Sequence, residues 1–343
     1  MTVTSDTLQT LEELPGATGF HKPAMPSGWF QVAWSDELKP GDVRPLKYFK
    51  KDYVLYRAED GEAVVQSAFC PHMGAHLGHG GMVEGCRLKC PYHGWEWGKD
   101  GRNTLVPSEG APSRSNRALR VYPTAETNGI VWMWHDVLHR EPLWPAPREL
   151  RDRDDFLPPY PDCTYIWPSL RTQPQWIAEN TVDVDHLIFV HESKLIPVLA
   201  EDREKVDYIE EGHIWRNHRE LPLQSSYLEG IGVVVAMVPR DPAAPHRLPS
   251  ILIHCVTPID DGLSDMRGTV LVPQDREAAG GDGSTPVGRA KRRVEQQLVQ
   301  AGRDVPIWEN MVYVERPAYT RAEGPLFMKQ RRFWQQFYPE VPA

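Results

Sequence analysis

Residues 70–94 read CPHMGAHLGHGGMVEGCRLKCPYHG, and this stretch carries the strongest structural signal in the chain. It contains two short groups of metal-binding residue types, Cys70-Pro71-His72 and Cys90-Pro91-Tyr92-His93. The prolines stiffen both groups, and the glycines around them permit tight turns. Each group therefore reads as the tip of a loop that offers one thiolate and one imidazole to a metal.

Two thiolates and two imidazoles form the ligand set of a Rieske [2Fe–2S] cluster, in which two histidines replace two cysteines on one iron. The alternative is a Cys₂His₂ zinc site, which uses the same ligand types. Zinc-finger spacing normally pairs cysteine with cysteine and histidine with histidine, whereas each loop here supplies one of each. The pattern favours the cluster and predicts a one-electron carrier. The predicted cluster ligands are Cys70, His72, Cys90 and His93.

The composition is that of an ordinary globular protein with enough chain for two domains: 343 residues, 41% hydrophobic and 25% charged. No apolar run approaches the length of a membrane span, and the first residues lack the pattern of a signal peptide, so we expect a cytoplasmic protein. The formal net charge of −9 argues against binding to nucleic acid or to an anionic membrane, because both need a basic surface.

Short strand patterns separated by turn residues extend over about 28–136, and they predict a small antiparallel β domain that contains both loops. A segment rich in proline and charge, 142–161, indicates a linker. Beyond it lie a helix-like stretch at 174–191, further strand patterns, and helical patterns at 289–302 and 324–338, which together predict an α+β domain. The predicted parts are an N-terminal arm at 1–27, an all-β domain at 28–140 and an α+β domain at 141–343.

A second group of candidate metal ligands lies in the segment ENTVDVDHLIFVH at 179–191. Asn180, Asp183 and His186 are spaced three residues apart, so on a helix they form one polar stripe. His191 lies five residues beyond His186, about 140° around a regular helix. The two imidazoles can reach one metal only if the helix widens by a π-type bulge or ends between them. Two histidines beside two aspartates, in a chain with a predicted cluster, indicate a second metal.

With both patterns in view, the chain resembles the catalytic subunit of a Rieske non-haem iron oxygenase. The Rieske motif of that family matches the two loops, and its iron motif N-x-x-D-x-x-H-x-x-x-x-H matches the residues from Asn180 to His191. The resemblance extends over nearly the whole chain. It implies a β-sandwich-like Rieske domain followed by a catalytic domain with helices on an antiparallel sheet. The length and the ending at 324–338 are similar to the monooxygenase branch that includes the bacterial 3-ketosteroid 9α-hydroxylase oxygenase.

The resemblance also implies a carboxylate ligand near the C-terminal end, which completes a triad of two histidines and one carboxylate and leaves positions open for O₂. Asp304 lies where the D-x-x-I-W pattern of the family places this ligand, so the implied iron ligands are His186, His191 and Asp304. Glu309 and Glu315 are the alternatives to Asp304.

Asp183 and Asn180 are the implied catalytic residues outside the ligand set. By the resemblance, Asp183 links His93 of one subunit to His186 of the next and carries electrons between them. Such a contact joins unlike surfaces of two copies, so it implies a head-to-tail ring, a trimer.

The implied reaction is hydroxylation of a hydrophobic, steroid-like or polycyclic substrate with O₂ and with electrons from NAD(P)H. No G-x-G-x-x-G follows a strand pattern, so a separate reductase or ferredoxin is expected. Alternatives within the family are ring dihydroxylation, N- or O-demethylation, and biosynthetic reactions such as oxidative cyclisation. A Rieske electron-transfer protein without catalysis is a further alternative, against which the motif at 180–191 argues.

Overall fold

The computed structural model describes residues 25–151, 155–194, 197–202, 207–217, 225–239 and 248–340. The predicted N-terminal arm lies outside this part of the chain, apart from its last three residues. Within the described residues, no helix has both the length and the apolar character that crossing a membrane requires.

The first half of the described chain consists of short antiparallel strands in three small sheets. Their orders are β1-β11-β10, β2-β3-β4-β9 and β5-β6-β7-β8, which confirms the predicted all-β N-terminal part. The strands are β1 (Gly28–Trp34), β2 (Val43–Tyr48), β3 (Lys51–Arg57), β4 (Ala63–Ser67), β5 (Met82–Glu84), β6 (Arg87–Lys89), β7 (Glu96–Trp97), β8 (Asn103–Leu105), β9 (Val121–Tyr122), β10 (Thr124–Thr127) and β11 (Ile130–His135).

The second half of the described chain contains a seven-stranded antiparallel sheet and four helices, which confirms the predicted α+β class. The strand order is β12-β18-β17-β16-β15-β14-β13. The strands are β12 (Thr164–Leu170), β13 (Tyr208–Glu211), β14 (Ile214–Asn217), β15 (Ser225–Glu229), β16 (Val233–Val238), β17 (Ser250–Asp260) and β18 (Leu263–Leu271). The helices are α1 (Pro174–Glu179), α2 (Val184–Phe189), α3 (Gly288–Trp308) and α4 (Gly324–Gln335).

The large sheet lies between the helices and the N-terminal strands. Alternate residues of a strand point to opposite faces, so one strand contributes to the packing on both sides. On one face of β17, Leu252 and Val256 pack in an apolar cluster with residues of α1 and α3. On the other face, Ile253 and Cys255 pack in a second cluster with tryptophans of β1 and β11. The helix-facing side of the sheet is therefore largely apolar where it packs against α1 and α3.

Two helix predictions differ from the structure. The stretch 174–191 is not one helix: α1 ends at Glu179, and α2 begins only at Val184. Conversely, the helix predicted at 289–302 continues to Trp308, although Gly302 and Pro306 are residues that normally end helices. It continues because Ala301 and Trp308 are buried against the sheet, and packing outweighs the local preference.

The predicted linker at 142–161 contains no helix or strand in its described residues, and it packs against both halves of the chain. The ring of Trp144 lies 4.7 Å from that of Trp134 in β11 and 5.5 Å from that of Phe337, which follows α4. This segment therefore ties the last helix to the N-terminal strands.

Candidate functional site

The two loops predicted to hold a cluster have the same backbone geometry. In each, the N–H of the cysteine donates to the carbonyl five residues later, at 2.9 Å for Cys70 and 2.8 Å for Cys90. The N–H of the following glycine, Gly74 or Gly94, donates back to the cysteine carbonyl at 2.9 Å and 3.1 Å. Both glycines have φ in the left-handed region, +77° and +69°, which disfavours larger residues. The loops are structural copies that face each other.

The thiols of the two loops lie inside and the imidazoles lie outside. Cys70 and Cys90 are buried, whereas His72 and His93 are exposed, with their ring centroids 4.7 Å apart. The ring of His72 stacks in parallel on that of Trp95 at 4.4 Å. An electron carrier held by these four side chains would have its sulfur side sheltered and its histidine side open to a partner.

The donor set fits a metal cluster. Burial raises the pKa of the Cys70 thiol to about 11, and the backbone N–H of His72 and the indole of Trp97 oppose that rise. Such a thiol is protonated at neutral pH, so a thiolate forms here only when a cation replaces the proton. The buried indole N–H of Trp97 meets no nitrogen or oxygen acceptor in the described part of the chain, which leaves it available to a sulfur ligand.

A second group of donors is formed by His186, His191 and Asp304, whose ligand atoms all lie within 4.8 Å of one another. The Nε2 atom of His191 lies 3.3 Å from the Oδ2 atom of Asp304. Helix α2 ends at Phe189, between the two histidines, and this break lets both rings turn to the same point. Asp304 lies within α3 and is buried.

Both imidazoles are oriented by a hydrogen bond at the nitrogen that faces away from the group. The Nδ1 atom of His186 lies 2.6 Å from the main-chain carbonyl oxygen of Asp183, and that of His191 lies 3.0 Å from Oε1 of Gln300. Because both partners are acceptors, each Nδ1 carries the hydrogen and each Nε2 keeps a free lone pair. This tautomer is the one that metal-binding histidines need.

Asp183 caps the start of α2. Its Oδ1 atom accepts the backbone N–H groups of Asp185 at 3.0 Å and of His186 at 3.1 Å. Burial would raise the pKa of Asp183, but its contacts with His186 outweigh this effect and lower it. For His186 the effects are opposite in sign: burial would lower its pKa, but the carboxylates of Asp183 and Asp304 outweigh this and raise it. Asp183 is therefore ionised, and a third of its side chain is exposed.

The other sequence-predicted residues lie apart from this group. Asn180 follows α1 as its C-terminal cap, and its side chain makes no hydrogen bond to the described residues. Because α1 ends there, Asn180, Asp183 and His186 do not form the expected helical stripe. Glu309 and Glu315, the alternatives to Asp304, are exposed and do not belong to the three-residue group.

Sequence reasoning missed two residues of α3 that hold the His191 segment. Gln300 binds His191, and Arg303 donates to the carbonyl of Val190 at 3.3 Å and to the Glu192 carboxylate at 3.2 Å. Gln300 precedes Asp304 by one helical turn, so the two share a face. The i, i+4 spacing of Gln300 and Asp304 could have indicated Gln300, but only if the predicted helix had been extended beyond Gly302.

Two family models match the chain. The Rieske [2Fe–2S] domain matches residues 28–123, and the 3-ketosteroid 9α-hydroxylase C-terminal domain matches residues 133–338.

Longer relatives also match over most of their length. The cholesterol 7-desaturase of Bombyx mori is 31% identical over 344 residues, which cover 93% of this chain and 70% of the relative. The probable 3-ketosteroid-9-alpha-monooxygenase oxygenase component of Rhodococcus rhodochrous is 26% identical over 341 residues, with 92% and 80% covered.

Solved structures share the fold at lower identity. The Pseudomonas putida CBB5 NdmA QL mutant with theobromine superposes with a TM-score of 0.69 at 19% identity, over 90% of this chain and 89% of the other. Dicamba monooxygenase bound to dicamba gives 0.62 at 17% identity, over 91% and 96%.

Proposed function

Because the chain belongs to the family of the 3-ketosteroid 9α-hydroxylase C-terminal domain and carries a Rieske domain before it, we propose that it hydroxylates a steroid-like, polycyclic substrate. It is the catalytic component of a Rieske non-haem iron monooxygenase, and its cofactors are a Rieske [2Fe–2S] cluster and a mononuclear iron. As an oxygenase component it works with a separate reductase. We propose that this partner takes electrons from NAD(P)H, directly or through a ferredoxin.

The convergence of His186, His191 and Asp304 beside an apolar layer is the observation that carries the proposal. When bound, the cluster supplies single electrons and the iron activates O₂. The protein holds both imidazoles in the Nδ1–H tautomer, and the side chains of His186, His191 and Asp304 are only 13%, 16% and 10% exposed. We propose as ligands Cys70, His72, Cys90 and His93 for the cluster, and His186, His191 and Asp304 for the iron.

The substrate class follows from the surroundings of this triad. Ala301 and Trp308, one turn before and after Asp304 on α3, are buried among apolar side chains of the sheet. A pocket opened in such a layer binds by removing apolar surface from water, which favours large hydrophobic molecules. Hydroxylation of such a molecule consumes O₂, two electrons and two protons, and gives the hydroxylated product and water.

Electron delivery between subunits is a further part of the proposal, with Asp183 as the link. No hydrogen bond, ion pair or ring contact of the described residues joins His93 to Asp183 within one chain, and both side chains reach the surface. Large apolar side chains are exposed on the same elements: Met73 (64%) and Tyr92 (61%) on the two cluster loops, and Phe189 (72%) on α2, which Asp183 caps. We propose that these surfaces meet in a head-to-tail homotrimer.

A second candidate function, desaturation, is favoured by one observation: the 31% identical Bombyx mori relative is a cholesterol 7-desaturase. Desaturation uses the same cofactors and reactants. It removes two hydrogens from the substrate and gives two waters, so no oxygen atom remains in the organic product.

The test combines the purified protein with a surrogate reductase, NAD(P)H, labelled O₂ and a panel of steroids and sterols. We expect a product that contains one labelled oxygen atom. A new double bond without label identifies desaturation instead. A doubly labelled diol, or a demethylated product from another substrate class, would contradict the proposal, and so would a protein that holds the cluster but no further iron.

We propose a domain division near residue 140, with 28–140 for the cluster and 141–343 for the iron. The N-terminal sheets end with β11 at His135, and the large sheet begins at Thr164, which supports a boundary between them. The cytoplasmic location stays a prediction from the sequence.

A further inference from the structure

His254 and Tyr165 form a hydrogen-bonded pair across three strands of the large sheet. His254 lies in β17 and Tyr165 in β12, and each is directly opposite Gly268 of the intervening strand β18. The phenol oxygen of Tyr165 bonds to Nε2 of His254. A Cβ atom at Gly268 would come within 2.1 Å of the Tyr165 ring, so any larger residue would displace it. The absence of a side chain at Gly268 is what allows the pair to form.

The pair lies on the side of the sheet that faces the proposed iron ligands. His254 lies two residues from Leu252 and from Val256 in β17, so the three side chains share one face of the sheet. The side chains of Leu252 and Val256 pack with those of α3. Tyr165 makes an edge-on contact with Trp167 at 5.0 Å, and Trp167 in turn borders Gly302, two residues before Asp304. The carboxylate of Asp304 acts electrostatically on the His254 imidazole.

The protonation states of the pair leave one donor free. Burial raises the pKa of Tyr165 far above its ordinary value, and burial lowers the pKa of His254 to about 4. At neutral pH the phenol therefore keeps its proton and the imidazole is neutral. The phenol donates to Nε2, its only partner among the described residues, so the imidazole carries its hydrogen on Nδ1.

Among the described residues, the Nδ1–H group of His254 has no acceptor. It makes no hydrogen bond to any described residue, yet His254 lies in the third of seven strands and is partly accessible. This nitrogen is not among the fully buried polar atoms that lack a partner, so the donor can be reached from outside the protein. Water, or a polar atom of a bound molecule, can accept this hydrogen bond.

We propose that Nδ1–H of His254 donates a hydrogen bond to a carbonyl or hydroxyl oxygen of the substrate and so determines specificity. This inference rests on the proposed function and deepens it: the substrate is an apolar polycycle that carries an oxygen. The side chains of its neighbours Val234, Leu252 and Val256 cannot hydrogen-bond, so among these residues His254 is the polar point that would orient the molecule. Tyr165 is a positioning residue, since it acts only by fixing the tautomer of His254.

The experiment measures binding to the full-length protein with both metal centres and without reductase, so that no turnover occurs. The probes are 4-cholesten-3-one and 5α-cholestane, which has the same carbon skeleton and no oxygen, each delivered in cyclodextrin. Quenching of tryptophan fluorescence gives the Kd. The variants are His254→Leu, His254→Asn, which keeps an N–H donor, and Tyr165→Phe. His213→Leu is the matched control, because His213 stacks on Trp144 away from the sheet face.

We expect the wild type to bind the ketone about tenfold more tightly than the hydrocarbon, as one buried hydrogen bond provides. His254→Leu should abolish this preference, because only the affinity for the ketone should fall. Tyr165→Phe should reduce the preference, and His254→Asn should keep part of it. The control should keep it. Should His254→Leu not fold, the asparagine and Tyr165→Phe variants decide.

Equal affinity of the wild type for both probes would refute this inference and leave the proposed function standing. The inference would also be refuted if the His254 variants bound both probes equally less tightly and had a lower melting temperature. That result would identify a purely structural role of His254. If the wild type binds neither probe, the steroid-like substrate class fails together with the inference.

Discussion

The Nε2 atom of His191 lies 3.3 Å from the Oδ2 atom of Asp304, although one residue follows α2 and the other lies within α3. Two groups with free lone pairs at this distance repel each other unless a proton or a cation lies between them. Their closeness is the geometric basis for assigning both to the same metal.

The first prediction concerns the carboxylate ligand. Asp304→Ala should lose one iron per chain and all turnover, because two imidazoles alone hold Fe(II) weakly, while the Rieske EPR signal of the reduced protein stays unchanged. Iron analysis and EPR of the same sample measure this. Glu309→Ala is the control and should retain its iron. If Glu309→Ala loses the iron and Asp304→Ala keeps it, the ligand assignment is wrong.

The second prediction concerns Gln300. Gln300→Leu should lower the affinity for Fe(II) about ten- to a hundredfold, because the hydrogen bond that fixes the His191 tautomer is lost. Competition with a chelator measures the affinity. Gln296→Leu, an exposed position one turn earlier on α3, is the matched control. Equal affinities in the two variants would show that Gln300 does not position the ligand.

The third prediction concerns the start of α3. The Oδ2 atom of Asp275 accepts the backbone N–H of Arg289 at 2.8 Å, and its other oxygen pairs with the guanidinium. These bonds from Arg289 lower the pKa of Asp275 to about 2. A carboxyl with a folded-state pKa below its unfolded value contributes stability above pH 4, and this contribution disappears as the pH falls towards 2.

Asp275→Asn should therefore reduce the free energy of unfolding by about 2 kcal/mol at pH 7, the size of hydrogen bonds to a charged group. The difference from wild type should shrink as the pH approaches 2. Urea unfolding at several pH values tests this, with Asp282→Asn in the exposed preceding loop as the control. A difference that is independent of pH would show that the pair is not the cause.

Local patterns in the sequence were sufficient to predict the loops and to group His186 with His191, because each motif lies within one short segment. Asp304 could be predicted only through the family resemblance, since its closeness to His191 depends on how α3 packs. Gln300 was missed because Gly302 and Pro306 read as helix ends, and burial of Trp308 overrides them. The pair of Tyr165 and His254 depends on the register of three strands, which no local pattern specifies.

The last prediction concerns Asp183. Its Oδ1 atom is engaged by the cap of α2, and its Oδ2 atom has no partner among the described residues, so a second imidazole can approach it. Asp183→Asn removes the charge that strengthens such a link, and turnover should fall by orders of magnitude while cluster and iron contents match wild type. Asp185→Asn is the control for the loss of one acidic residue nearby.

Mixed oligomers test whether the link crosses a subunit boundary. Cys70→Ala lacks the cluster and His186→Ala lacks the iron, so each alone should be inactive. When the two variants are co-expressed, some interfaces join an intact cluster in one chain to an intact iron in its neighbour, and these should recover activity. Adding Asp183→Asn to the Cys70→Ala chain, which holds the only intact iron, should abolish the recovery. If mixed oligomers form, as two different affinity tags can verify, and remain inactive, electrons do not pass between chains and the role of Asp183 is refuted.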